Sequence, residues 1–231
     1  FIEVTKNNVE LLIPFLDSNY SINKIKKNYL LKNNLKINFF FSKKEKLYVI
    51  KKIFFSLKLL SYIKKNINVN LIISRSIIAS LILAIFGIKN ILEVHTELTG
   101  FTKIFFFLTK FKIDKKNLNF IFINDYLRKK IKINKKKSLI LCDAVDYRDF
   151  KVKNLNLIKN TCFYSGSFAK GKCLEIILKL SKELPNINFH LHGNKQTIYD
   201  KSILDKKMKN VFFNGYLTYS ELVKKIRNYK V

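Results

Sequence analysis

The segment from Thr161 to Tyr216 constrains this chain more than any other. The apolar run Cys162–Tyr164 leads into Ser165-Gly166-Ser167, then Lys170-Gly171-Lys172, then a helix-like stretch from Leu174 to Leu184. A second apolar run, Phe189 to Leu191, ends at His192-Gly193, and a third, Val211 to Phe213, ends at Asn214-Gly215. Short strands that each run into glycine, with a helix after the first, predict part of a parallel α/β sheet. Ligands of such sheets bind at the carboxyl ends of the strands. Glycine there admits close approach of a phosphate to the backbone, and a helix N-terminus supplies free N–H groups and the positive end of a dipole. Lys172 at the mouth of the helix adds a point charge suited to a diphosphate. A glycine after a strand also reads simply as a turn.

The pattern resembles the nucleotide-sugar half of the retaining glycosyltransferases of family 4, of the GT-B type. In that family the first strand of the second domain ends in Gly-Ser or Gly-Arg, and a lysine and glycine follow. Gly166-Ser167 and Lys172 match; Cys173 stands where the family has glycine, and Ser167 where many relatives have arginine. The resemblance implies that Gly166, Ser167 and Lys172 bind the donor diphosphate, and that His192, Gly193, Gly215 and Tyr216 form the nucleotide-side rim.

The first half extends the resemblance. Leu71 to Ile88 is apolar apart from Arg75 and three serines. A charge so near its start argues against a membrane span. It divides instead into a strand (Leu71–Ser74), a helix (Ile77–Phe86) capped at Gly87, and a following strand (Ile91–Val94), a βαβ unit. The strand running to Glu93 and His95 resembles the family's Glu-x-His, which implies a catalytic place for His95 near the transferred sugar. By itself a histidine at a strand end is equally a hydrogen-bonded structural residue, although Glu93 and Glu97 flank this one. IFINDYLRKKI resembles the segment that closes the family's cleft. LILCDAVDYRDF resembles its Asn-Gly-Val-Asp turn, with Asp143-Ala144 in place of Asn-Gly and with Asp146 and Phe150 in register.

Further elements are expected as follows. Phe1–Asn8 reads as the tail of a helix, and Val9–Pro14 as a strand stopped by proline. Asp17 to Lys46 reads as irregular. Leu47 to Lys65 reads as an amphipathic helix with Leu47, Ile50, Phe54, Leu57 and Tyr62 near one face. Phe101–Phe111 is either a helix on the sheet or a membrane-facing element, and core packing is the simpler reading. Phe120–Ile123 and Leu139–Cys142 are two more strands.

The net charge of +29 invites a nucleic-acid reading. Yet only four of the 45 basic residues are arginine, and Lys comes with abundant Asn, Ile and Phe, the residues of A/T-rich codons. A dedicated reader of nucleic acid would use arginine's fork. The charge is therefore expected to be compositional, with no specific nucleic-acid partner; if functional, it fits an anionic membrane surface. Cys142, Cys162 and Cys173 show no metal spacing, and their odd number speaks against a disulfide framework. Cys142 and Cys162, in apolar runs, are expected in the core. His190 and His192 share a strand face, but no third ligand follows, so no metal is expected.

What results is an α/β, GT-B-type chain of two Rossmann-like lobes with parallel sheets. Residues 1–155 are the acceptor-side domain, lacking its first strand, and 156–231 a partial nucleotide-sugar-binding domain, the joint lying near Lys151–Asn160. Its expected activity is transfer of a sugar from a nucleotide-diphosphate sugar to a glycan or lipid-linked acceptor with retention, for polysaccharide of the cell envelope. The nucleotide-sugar is a substrate, and no cofactor is expected. The family's pair of glutamates that contacts sugar and ribose would fall beyond Val231, so the chain reads as a fragment with little activity of its own. Its expected place is the cytoplasm, with peripheral contact at the inner membrane. The alternative is a non-catalytic basic α/β module that binds polyanions or anionic membrane.

Overall fold

The computed structural model describes residues 9–15, 21–28, 35–41, 48–66, 68–110, 117–144, 150, 159–198, 200, 202, 208–227 and 229. The expectations for Phe1–Asn8, for Asp146 and for most of the joint near Lys151–Asn160 lie outside these residues. The chain divides into two compact units, one of Glu10–Asn19 and Lys36–Ala144, the other of Phe1–Val9, Tyr20–Leu35 and Val145–Val231.

In the first unit, strands β1 (Val9–Phe15) and β2 (Leu35–Phe41) form a two-stranded sheet. The β1 strand runs through Pro14 rather than stopping there. The stretch Asp17 to Lys46, expected to be irregular, holds both helix α1 (Ile22–Asn28) and β2. The alternation in Leu35-Lys36-Ile37-Asn38-Phe39-Phe40 is the strand signal that was overlooked: Ile37 is buried while Lys36 is exposed. Glu10 of β1 ties the sheet to helix α2 (Tyr48–Lys65). It accepts hydrogen bonds from Asn38 Nδ2 and from the Tyr62 hydroxyl, the latter at 2.8 Å, and Lys36 Nζ lies 3.3 Å away. The hydrogen bond to Glu10, followed by burial, holds the Tyr62 phenol above its ordinary range.

The α2 helix forms where expected, but on a different face. Phe55, Ser56, Leu59 and Leu60 are buried, whereas Ile50, Phe54 and Leu57 are exposed. Two apolar stripes run along this helix, and its packing partner decides between them. That partner is α3 (Ile77–Ile85), whose Ile78, Ala79, Ile82 and Leu83 form one cluster with Phe55, Leu59 and Leu60.

The core of this unit is a four-stranded parallel sheet of β3 (Ile73–Ser74), β4 (Asn90–Val94), β5 (Leu118–Phe122) and β6 (Ser138–Ile140), in that spatial order. Helices α3, α4 (Gly100–Lys110) and α5 (Asp125–Ile131) follow β3, β4 and β5 in turn, the βαβ alternation expected from Leu71–Val94. Ser76 caps α3 by accepting from the Ala79 N–H, and Gly87 follows the helix at φ +77°, a conformation costly for any side chain. Leu92, Val94, Phe120 and Phe122 turn one sheet face onto Leu81, Ala84, Phe106, Leu127 and Ile131. Cys142, expected in the core, is exposed; it lies past the end of the three-residue strand β6, where among the described residues no element covers it.

The second unit carries the parallel sheet β7 (Thr161–Ser165), β8 (Asn188–His192) and β9 (Val211–Asn214), in that order. Helix α6 (Leu174–Glu183) packs Leu174 and Leu178 onto Phe168, Phe189 and Leu191, with Cys162, Tyr164, Val211 and Phe213 against the same cluster. Burial holds the Cys162 thiol above its ordinary range. Helix α7 (Tyr219–Ile226) begins with a reciprocal cap, in which the Thr218 hydroxyl accepts from the Glu221 N–H and Glu221 accepts from the Thr218 N–H. Helix α1 packs against α7. The fold is thus α/β, with parallel sheets and Rossmann-like alternation of strand and helix.

Asn210, just ahead of β9, offers its side-chain amide to the carbonyls of Ser181, Leu184 and Ile187 at 2.8, 3.1 and 3.0 Å. The amide thus ties the last turn of α6, through Ser181, to the turn that follows it, where the Ile187 N–H also donates to the Leu184 carbonyl at 3.1 Å. Asn210→Ala is expected to destabilise the chain by about 1–2 kcal/mol, the cost of stranding partly buried acceptors, read as a lower midpoint in urea denaturation.

Candidate functional site

The ends of β7 and β8 meet through glycine. The Gly166 N–H donates to the His192 carbonyl at 2.9 Å. A Cβ on Gly193 would lie 2.2 Å from the Gly166 carbonyl oxygen and 2.9 Å from the Phe168 ring. A Cβ on Gly166 would lie 2.7 Å from the Tyr164 hydroxyl. No side chain fits at Gly193, because there the contact is with backbone. Gly193 is therefore needed for the strand ends to close, whereas at Gly166 the Tyr164 side chain would have to shift. Gly215 differs: it is exposed and has nothing within 4 Å of its would-be Cβ. Tyr216 beside it is exposed as well.

The loop from Gly166 to Lys172 is pinned at its middle. Phe168 is fully buried, edge-on to Phe213 at 5.7 Å, and its N–H donates to the Thr197 hydroxyl at 3.1 Å. The Tyr164 hydroxyl donates to the Ser167 carbonyl at 2.8 Å, and the Ser167 hydroxyl accepts from the Ala169 N–H at 3.1 Å. Ser167 is thus half-buried and engaged with its own loop, with its hydroxyl hydrogen still available to a ligand. Phe168 went unremarked in the sequence. Its signal was a large apolar residue within an otherwise small and polar loop.

Two left-handed residues turn the loop into α6. Gly171 has φ +83°, and Cys173, the helix N-cap, has φ +58°. Cys173 therefore adopts the conformation that a glycine would take at this place. No side chain caps the helix start; Leu174 is fully buried there, and the Ile176 N–H turns back to the Cys173 carbonyl at 3.1 Å. Lys172, one residue before the N-cap, is exposed.

The face of the sheet away from α6 is aromatic. His190 stacks on Phe212 at 5.0 Å, His192 lies 5.1 Å from the Phe163 ring, and Tyr229 sits 4.7 Å from Phe163. His192 is 2% exposed, and among the described residues neither of its ring nitrogens has a hydrogen-bond partner. Burial, then the Lys225 charge, holds it below its ordinary value; the Gly215 backbone pulls the other way without reaching hydrogen-bond geometry. His190 is depressed in the same manner, by burial and then by Lys225. Among the described residues no group of three or more His, Cys, Asp or Glu is placed to hold a metal ion.

The other unit contains His95, just past the carboxyl end of β4. Glu93 and His95 are two residues apart, so they fall on the same side of the strand line, opposite Leu92 and Val94. Glu93 Oε1 lies 2.5 Å from His95 Nε2, and Asp143 Oδ1 lies 3.8 Å from Nδ1. The imidazole is thereby set between two carboxylates and is only half-buried. Glu97, expected beside His95, instead bonds Lys130 at 2.5 Å and the Tyr126 hydroxyl at 3.1 Å. Those two partners hold its carboxyl below the usual range. Asp143 takes the flanking role, and only strand order brings it there: it follows β6 while His95 follows β4.

The class defined by this fold is an α/β protein of Rossmann-like units with parallel sheets. No family model matches the chain, and no curated protein matches it. Among solved structures it is similar to TarM, with a TM-score of 0.39 and 15% identity, covering 68% of this chain and 39% of that one. It is also similar to MurG of Acinetobacter baumannii, with a TM-score of 0.46 and 10% identity, covering 99% and 64%. A mutant of S. aureus TarM in complex with fondaparinux, alpha-GlcNAc-glycerol and UDP gives a TM-score of 0.37 and 16% identity, covering 68% and 39%. The chain therefore spans between 39% and 64% of the length of these structures.

Two expectations follow from this geometry. Cys173→Gly relieves a left-handed side chain and should stabilise the chain by about 1 kcal/mol, whereas Cys173→Val should destabilise it; denaturation midpoints check both. The depressed histidines bind protons in the unfolded chain near pH 6.5 but not in the folded one. Their contribution is complete above that pH and is lost as pH falls through the lower folded values. The histidine contribution should thus be level above about pH 7.5, roughly one unit over the free value, and should decline below it. His192→Gln should flatten that decline.

Proposed function

We propose that the chain forms part of a GT-B glycosyltransferase of the retaining family 4 kind, which moves a sugar from a nucleotide-diphosphate sugar to a glycan or lipid-linked acceptor. The observation that carries this reading is the uncapped start of α6. It follows the carboxyl end of β7, is entered through left-handed Gly171 and Cys173, and has Lys172 beside it. The positive end of a helix dipole and a lysine beside it together suit a diphosphate. The family pattern of Gly166-Ser167 and Lys172 supports the same assignment. In this reading residues 156–231 serve the nucleotide side and residues 1–155 the acceptor side.

Chemically, the departing diphosphate gathers negative charge as the glycosidic bond breaks. Donors already oriented toward it lower the barrier without having to reorganise. Lys172, the positive end of the α6 dipole and the Ser167 hydroxyl are assigned to that task. His95, held by Glu93 and Asp143, is assigned to hydrogen bonding with a hydroxyl of the sugar or acceptor. Retention, a cytoplasmic location and an envelope polysaccharide as product rest on the family resemblance.

Calorimetric titration with UDP, ADP and GDP in the natural full-length protein tests the assignment. Lys172→Ala should weaken binding of the preferred nucleotide by about 1.5–3 kcal/mol, the range of a charged hydrogen bond. His95→Ala should slow sugar transfer and leave nucleotide binding intact. Unchanged affinity in the lysine variant would remove the diphosphate assignment. Binding of every polyanion alike, without preference for a nucleotide, would favour the basic binding module instead.

A further inference from the structure

Helix α4 presents two apolar faces, and only one is used. Phe105, Phe106 and Thr109 turn inward, with Phe106 edge-on to Phe120 at 6.3 Å and both phenylalanines against the core. On the opposite side Phe101, Ile104, Phe107 and Leu108 are 46%, 59%, 41% and 69% exposed. At 3.6 residues per turn, positions 101, 104 and 108 form one line and 107 widens it. Core packing is the simpler expectation for Phe101–Phe111, and the helix satisfies it with Phe105 and Phe106 alone of its large apolar residues. Four large side chains in a row remain in water, at about 25 cal/mol for each Å² of apolar surface left uncovered.

We propose that this outer face of α4 docks the chain on an anionic lipid surface, the helix lying in the plane of the interface. Charge selects this occupant. From Leu98 to Ile113 the sequence contains Lys103, Lys110 and Lys112 and no acidic residue, and Lys103 is exposed beside the apolar line. Phenylalanine and leucine facing outward with lysine at the border is the composition of helices that lie on membranes. The whole chain carries +29, which draws it toward anionic lipid and repels a second copy of itself. Among the described residues no helix is long and apolar enough to cross a membrane, so the face lies on the bilayer rather than spanning it. This surface gives the peripheral contact a location, and it stands or falls separately from the donor site.

The chain contains no tryptophan, so Leu108→Trp supplies a single fluorophore on the proposed face. With vesicles of phosphatidylglycerol and phosphatidylcholine in equal parts, its emission should shift to the blue; with pure phosphatidylcholine it should not. In co-sedimentation, the triple variant Phe101→Ser, Ile104→Ser, Leu108→Ser should lose at least about tenfold in affinity for the mixed vesicles, since the apolar contribution is removed. Its melting temperature should fall only slightly, since Phe101 gives up its stacking on Phe105 while Ile104 and Leu108 are mostly in water. Lys103→Glu should weaken binding on its own, and nucleotide affinity should be unchanged in every variant. Three results would each overturn the proposal: vesicle binding by the triple variant equal to that of the parent, no blue shift on anionic vesicles, or a parent dimer in light scattering that the triple variant dissolves.

Discussion

The carboxyl end of the β7–β9 sheet depends on one contact, the meeting of Gly166 with the backbone of His192 and Gly193. The hydrogen bond from Gly166 to the His192 carbonyl closes the last rung between β7 and β8. A side chain at Gly193 would occupy the space of the Gly166 carbonyl. With the strand ends closed, Phe168 drops into the core beneath them, and the loop that it anchors has a fixed course into α6. Left-handed Gly171 and Cys173 then start the helix without a side-chain cap. Loop, helix start and Lys172 all inherit their positions from that contact between two glycines.

The two faces of this sheet have different chemistry. Phe189 and Leu191 face α6 and form an apolar core, while His190 and His192, one residue out of step, face an aromatic layer of Phe163, Phe212 and Tyr229. A strand reading Phe-His-Leu-His thus makes one face dry and the other titratable. The buried His192 ring, without a hydrogen-bond partner among the described residues, is a polar group held at the strand end at some cost in stability.

Much of this was legible in the sequence because strand ends and helix breaks are marked by local chemistry. The runs before Gly166, Gly193 and Gly215 each became a strand, and Leu174–Leu184 became α6 to within one residue. The Leu71–Val94 stretch resolved into β3, α3 and β4 because Arg75 and Gly87 interrupt it. Tertiary choices were not legible. Helix α2 has two apolar stripes, and only the partner α3 shows which one is buried. Cys142 lies in an apolar run yet is exposed, because the strand ahead of it is short and, among the described residues, no element covers it. Asp143 reaches His95 through the order of strands in the sheet, and spacing along the chain does not report that order. Glu97 was drawn away from His95 by a lysine 33 residues further on, a pairing that no local pattern announces.

The proposed diphosphate site lies where the loop enters α6, and the backbone amides there report on a bound anion. An amide-resolved NMR titration of the chain with UDP, with inorganic pyrophosphate alongside, reads those amides directly. Saturable shifts concentrated at Gly166, Ser167 and Gly171 through Glu175, shared by both ligands, are the predicted result. Shifts scattered over the exposed lysines, with none at Leu174 and Glu175, would contradict it and leave the positive charge as a general attractor of anions.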